Sequence, residues 1–232
     1  MLNSINLSPI GIGTRGIGGF TTKDTTLNIN QQIDALAYMF SQGCNFCEIN
    51  IWYAEGYAAE IVAKALKESG ILREDIFLCL AIYLKDHKTI DDAQNELECC
   101  MKLFETSFVD TVQFTMSNFL YGKFEYITEW IDEILDDKKT RYTSLTNGNL
   151  DFVKVYHNYY KDHFFSHEVV FNFEIRENET NGIIPFNKNH DIKTFVYQPL
   201  RRNRTALRKR DIKNYYHKNI EKLPIKYSGI GS

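Results

Sequence analysis

Short apolar runs alternate with amphipathic stretches seven times along this chain, and few folds tolerate such a pattern. One unit shows it in full. Asn45 to Ile49 reads as a strand, Trp52, Tyr53 and Glu55 fall in the loop after it, and a helix follows. In that helix Ala58, Ile61, Val62, Ala65 and Leu66 recur at i, i+3, i+4, i+7 and i+8, which makes one buried stripe. Around it, SPIGIGTR is a Gly-punctuated strand, with a helix cap expected at Asn30 and a helix marked by Ile33, Leu36, Ala37 and Phe40. Asp75–Tyr83 is a continuous apolar strand of the kind buried on both faces. Ala93, Leu97, Cys100 and Phe104 mark a helix, Asp110–Met116 a strand, and Phe124, Ile127, Ile131, Ile134 and Leu135 another helix. Arg141–Thr146 (strand), Leu150–Tyr160 (helix), Glu168–Phe173 (strand), a short helix near Pro185 and Lys193–Tyr197 (strand) complete the series. Such alternation implies a parallel sheet with crossover helices, and this many units favour a (β/α) barrel over an open sheet.

The totals agree with one globular domain over residues 1–232, at 44% apolar and 25% charged. A net charge of −3 gives no reason to expect nucleic acid or a membrane surface. No secretory signal or spanning run appears, so the expected location is cytoplasmic. Five cysteines, with Cys99 and Cys100 adjacent, do not form a disulfide framework. Cys44 and Cys47 lack a second pair at metal spacing, and His157, His163 and His167 fall on unlike elements, so no metal is expected. Asn178-Glu179-Thr180 fits a glycosylation pattern that matters only on secretion.

In a parallel α/β protein, reactive side chains gather at the carboxyl ends of strands, where Glu48 and Tyr53 lie. The segment GCNFCEINIWYAEGYAAEIVAKALK resembles the signature of the aldo/keto reductases, with Gly43, Asn45, Tyr53, Glu60, Ala65 and Leu66 on the pattern. SPIGIGTRGIGG, REDIFLCLAIY, SFVDTVQFTM, KKTRYTSLTNGN, HEVVFNF and KTFVYQPL are similar to further motifs of that family. The resemblance implies a (β/α)8 TIM-type barrel, incomplete at about seven strands, truncated before its last helix–strand–helix. It also implies NADP-dependent reduction of a small carbonyl compound. Open strand edges would favour self-association, and a truncated product that folds poorly alone is a further reading.

By this match Tyr53 is the catalytic acid, and Glu48 stands where the family has Asp. The family's Lys and His positions are Ala81 and Thr115, and Ala54 replaces a Gly. Without that Lys, Glu48 needs another partner, for which Arg15 and Lys85 are candidates. Thr14, Thr146, Asn147, Glu168, Tyr197 and Arg201 are the implied cofactor contacts. Thr146 and Asn147 keep a hydroxyl and an amide for the carboxamide, and Tyr197 is the stacking aromatic. Glu168 replaces a Gln, so it cannot donate when ionised. Arg201 opens the run RRNRTALRKR, which holds six basic residues and is suited to phosphate oxygens. It contains no aromatics, which argues against nucleic acid. Weak NADP binding and slow turnover are expected. The alternative is a pseudoenzyme that binds a nucleotide, a small molecule or a protein without turnover.

Overall fold

The computed structural model describes residues 6–83, 89–115, 124–200 and 228–230. The strands are β1 (Ile10–Gly13), β2 (Phe46–Ile49), β3 (Phe77–Ile82), β4 (Val109–Thr115), β5 (Thr140–Thr146), β6 (Phe164–Val170), β7 (Lys193–Tyr197) and β8 (Ser228–Ile230). The helices are α1 (Ile29–Ser41), α2 (Tyr57–Ser69), α3 (Ile90–Leu103), α4 (Phe124–Asp136), α5 (Leu150–Tyr159), α6 (Glu177–Thr180) and α7 (Ile183–Asn189). All strand pairs are parallel, in the order β7-β6-β5-β4-β3-β2-β1-β8. The seven strands expected from the sequence are present and curl as part of a (β/α) barrel. The short β8 adds to β1 and lies close to β7, on the side where the sequence left an open edge.

Helices pack on the outside of the sheet through the expected stripes. Ala58, Ile61, Val62, Ala65 and Leu66 of α2 are all buried, as are Ala93, Leu97 and Cys100 of α3. Ile33, Leu36 and Phe40 of α1 join Ile127, Ile131 and Ile134 of α4 in the same apolar layer. At roughly 1.5–3 kcal/mol per buried large aliphatic or aromatic side chain, this layer supplies most of the force for folding.

Most strand and helix ends fall within two residues of the sequence reading, and two further differences have a side-chain cause. The cap of α1 is Asn28, not Asn30, because the Asn28 side chain accepts the Gln31 N–H at 3.2 Å. The sixth strand starts at Phe164 and stops at Val170, where Glu168–Phe173 was expected. Asn172 ends it: its Oδ1 accepts the backbone N–H groups of both Glu174 and Ile175 at 2.9 Å, and the chain turns. Glu168 therefore stands near the carboxyl end of β6 rather than at its start.

The barrel interior is layered. Its floor is aromatic: Phe46 lies 4.3 Å from Phe195, and Phe77 lies 4.4 Å from Phe165, between ring centroids. Gly11 of β1 leaves room for this floor, since a Cβ there would come within 2.5 Å of the Phe46 ring. Above it the hydroxyls of Thr111, Ser144 and Ser166 form a buried chain with 2.8 Å links. One pleat repeat higher, toward the carboxyl ends, come Gln113, Thr146 and Glu168, and there the interior opens.

Candidate active site

A cavity of about 250 Å3 takes in the carboxyl end of the barrel and extends along β1 to Phe46 and Phe195 of the aromatic floor. Its wall includes Thr14, Glu48, Tyr53, Ala81, Thr115, Thr146, Asn147, Glu168 and Tyr197. Every sequence-derived site residue except Arg201 is thus brought to one place. Arg201, its basic run and Lys85 lie outside the described residues. Arg15 also reaches the cavity wall.

Tyr53 is set by a tight and strained turn. Ala54 and Glu55, which follow it, have φ of 50° and 59°, and Gly56 has φ of 89°. The left-handed region costs a residue with a Cβ roughly 1–2 kcal/mol, which explains a glycine preference at position 54. The Ala54 N–H donates to the Phe20 carbonyl at 2.6 Å, and Asn50 Oδ1 accepts the Trp52 N–H at 2.8 Å. Asn50 is tied in turn to β1, because its N–H donates to the buried Thr14 hydroxyl at 3.3 Å. Phe20 and Trp52 each lie 5.7 Å from the Tyr53 ring, and the Arg15 guanidinium lies 4.6 Å over Phe20. Burial and the nearby Glu48 push the Tyr53 phenol up, Arg15 pulls it down, and the result is about 12.

The expected partners of Glu48 are Arg15, which lines the same cavity, and Lys85, which lies outside the described residues. Glu48 is also hydrogen-bonded to a second carboxyl, that of Glu168. The two reach each other because β2 and β6 face one another across the barrel. Glu168 Oε2 also accepts from Gln113 Nε2 at 3.2 Å and from the Thr146 hydroxyl at 3.1 Å. Burial raises both carboxyls; Glu168 stands well above the usual range, with the charge of Glu48 as its next cause. Gln113 was missed by the sequence reading. Its signal was the alternation of Thr111, Gln113 and Thr115 with Val112 and Phe114, which turns a polar row inward.

On the other wall, the Tyr197 hydroxyl donates to Asn147 Oδ1 at 2.8 Å. Asn147 has φ of 62°, a conformation that asparagine tolerates better than most residues. His167 holds it there: Nε2 donates to the Asn147 carbonyl at 2.7 Å, while Asn187 Nδ2 donates to Nδ1 at 3.4 Å. Burial lowers the His167 pKa from 6.5 to about 4, so the ring is neutral. As pH falls below about 6.5 the unfolded chain takes up a proton that the folded one refuses, so the contribution of His167 to stability falls down to about pH 4. The expected loss is about 3 kcal/mol. Glu168 acts in the opposite sense, since its raised folded pKa makes acid favourable. Urea unfolding of His167→Gln beside the unmodified chain isolates the histidine: the acid-side loss should shrink in the variant.

No helix among the described residues is long and apolar enough to cross a membrane. Among the same residues no cluster of three or more His, Cys, Asp or Glu could hold a metal ion.

Residues 9–225 match the aldo/keto reductase family. The aldo-keto reductase YhdN of Bacillus subtilis (strain 168) is 26% identical over 203 residues, covering 84% of this chain and 59% of that protein. The chain thus spans about three fifths of the length of this curated relative. The crystal structure of the thermostable aldo-keto reductase Tm1743 with the inhibitor epalrestat superposes with a TM-score of 0.79 at 24% identity, covering 95% of this chain and 78% of that one. An aldo-keto reductase from Klebsiella pneumoniae in complex with NADPH gives 0.76 at 19% identity, over 95% and 74% of the two chains. These two likenesses speak to the fold, and with the match over residues 9–225 they make the chain a member of the aldo/keto reductase family.

Proposed function

We propose that the protein reduces a reactive aldehyde or ketone with NADPH or NADH, slowly, with Tyr53 as proton donor. The observation that carries this reading is the convergence of Tyr53, Thr146, Asn147 and Tyr197 on one cavity at the carboxyl ends of the strands. The cavity chemistry fits the nicotinamide end of a dinucleotide. Asn147 has its oxygen engaged by Tyr197, so its amide nitrogen is the donor it can turn to a carboxamide oxygen. Glu168 offers the matching carboxyl, and the Tyr197 ring a flat surface. When bound, the reduced nicotinamide supplies a hydride to an electrophilic carbon.

Proton transfer from the Tyr53 Oη to the carbonyl oxygen is the step this chain must assist. Ala81 and Thr115 line the cavity but bring no charge. Arg15 is the cation that favours the phenolate, and its pull is outweighed by burial and by Glu48. A phenol at about 12 is a weak acid for this work, so turnover should be confined to activated carbonyls such as 1,2-dicarbonyls. The test is NADPH oxidation with such a substrate, beside the double variant Ala81→Lys, Glu48→Asp. Restoring a cation beside the phenol should raise the rate about tenfold or more, since a preorganised charge of this kind is worth a few kcal/mol.

The uncharged positions 81 and 115 also favour a second reading, a binding protein without turnover. NADPH binding with no reduction of any dicarbonyl, in either form of the protein, would decide for it.

A further inference from the structure

Two carboxyls hydrogen-bonded to each other hold a proton at rest, because ionised carboxylates are acceptors only and the bond between them needs a donor. Glu48 and Glu168 are so bonded, at the cavity wall, and both further donors to the pair, Gln113 and Thr146, point at the Glu168 Oε2. We propose that Glu48 and Glu168 hold one proton between them at neutral pH, and that this proton restores the Tyr53 phenol after it has acted. The second half of the proposal rests on the reductase reading above.

The groups facing the pair set the direction of transfer. Arg15 comes from the end of β1, Tyr53 from the loop after β2, Cys79 from β3, Tyr83 from just after β3 and Tyr197 from β7. Cys79 and Tyr197 are both raised by burial first and by these carboxyls in part, so neither competes as an acid. Burial raises the two carboxyls and the Tyr53 phenol alike, and a carboxylic acid is intrinsically the stronger acid of the two by roughly six pKa units. The Tyr53 phenol lies at about 12. A proton passes downhill from the carboxyl to the phenolate.

In the step, the carbonyl carbon receives hydride and its oxygen takes the Tyr53 proton. The carboxyl O–H bond then breaks as a new phenol O–H bond forms. The pair, briefly ionised on both sides, recovers a proton from water. A phenolate beside a carboxylate is thereby avoided, which is the service a cation at position 81 would have given.

An infrared pH titration of the whole chain without nucleotide tests the shared proton. At pH 7 the carbonyl band of a protonated carboxylic acid should be present. It should titrate at lower pH in Glu48→Gln and in Glu168→Gln, each of which removes the like charge that raises its neighbour. It should be absent from the double variant. Tyrosinate absorbance, assigned to Tyr53 by subtracting Tyr53→Phe, should appear only at a pH above that at which the band is lost. The proposal is overturned if no such band exists at pH 7, if the band survives in the double variant, or if Tyr53 ionises first. Should a glutamine variant fail to fold, carbon-13 labelling of glutamate reads the same titration in the unmodified chain.

With a 1,2-dicarbonyl and NADPH, kcat should fall along the same alkaline limb as the band, and Glu48→Gln should lower kcat at least tenfold at pH 7. An unchanged kcat and pH profile in Glu48→Gln would make the pair structural and refute the relay. A protein that keeps the band and the order of ionisation yet binds no NADPH would refute the reductase reading alone.

Discussion

Asp110→Ala should cost about 3–5 kcal/mol of stability, which in a chain of this size lowers Tm by roughly 6–20 °C. Asp110 is buried at the amino end of β4, on the far side of the barrel from the cavity. Its Oδ2 accepts from Arg73 Nη2 at 3.1 Å and from the Leu78 N–H at 2.9 Å, and its Oδ1 accepts from Arg141 Nη1 at 3.1 Å. Arg73 is itself largely buried, with 13% of its side chain exposed, and is bound to the carbonyls of Ile76 and Phe108. Removing the carboxylate strands that guanidinium in a poorly solvated place, and the penalty comes mostly from there. Arg141 is 58% exposed, so Arg141→Ala should cost about 1 kcal/mol or less. Thermal unfolding of the two variants side by side checks the contrast, and equal losses would show that burial of Arg73 is not the cause.

Tyr53→Phe should remove about 99% of whatever dicarbonyl reduction the protein performs, since a positioned general acid contributes about a hundredfold or more. The variant keeps the ring that packs on Phe20 and Trp52, so its Tm and its affinity for NADPH should stay close to those of the unmodified chain. Steady-state rates measured at saturating NADPH separate the two effects. A rate unchanged by the substitution would move the proton donor elsewhere, first to the carboxyl pair itself.

Much of the architecture was legible because local pattern and tertiary role agree. The unbroken apolar run of β3 and the α2 stripe each allow one placement, inside the sheet and against it. The sixth strand was misjudged because its end is set by the Asn172 side chain bonding to backbone, which apolar pattern does not reveal. In the site, Tyr53 and Glu48 were legible as residues of a motif on one strand and its loop. The pairing of Glu48 with Glu168 was not. The strands that carry them are separated by three others in the sheet order, and they meet only because the sheet curls. Gln113, which joins Glu168 from β4, belongs to the same class of contact across the curled interior.

The most direct measurement of the central claim is a titration of NADPH into the purified chain, followed by nicotinamide fluorescence. On the proposed reading Thr14, Thr146, Asn147, Glu168 and Tyr197 would serve the nicotinamide end, while Arg201 and its basic run lie outside the described residues. Saturable binding is therefore expected with a Kd on the order of 0.1 mM or weaker, with NADH close behind. Asn147→Ala should weaken it about tenfold, the worth of one hydrogen bond in a polar site. Fluorescence that rises without saturation to several millimolar, and is indifferent to Asn147→Ala, would contradict the assignment of this cavity to a nicotinamide.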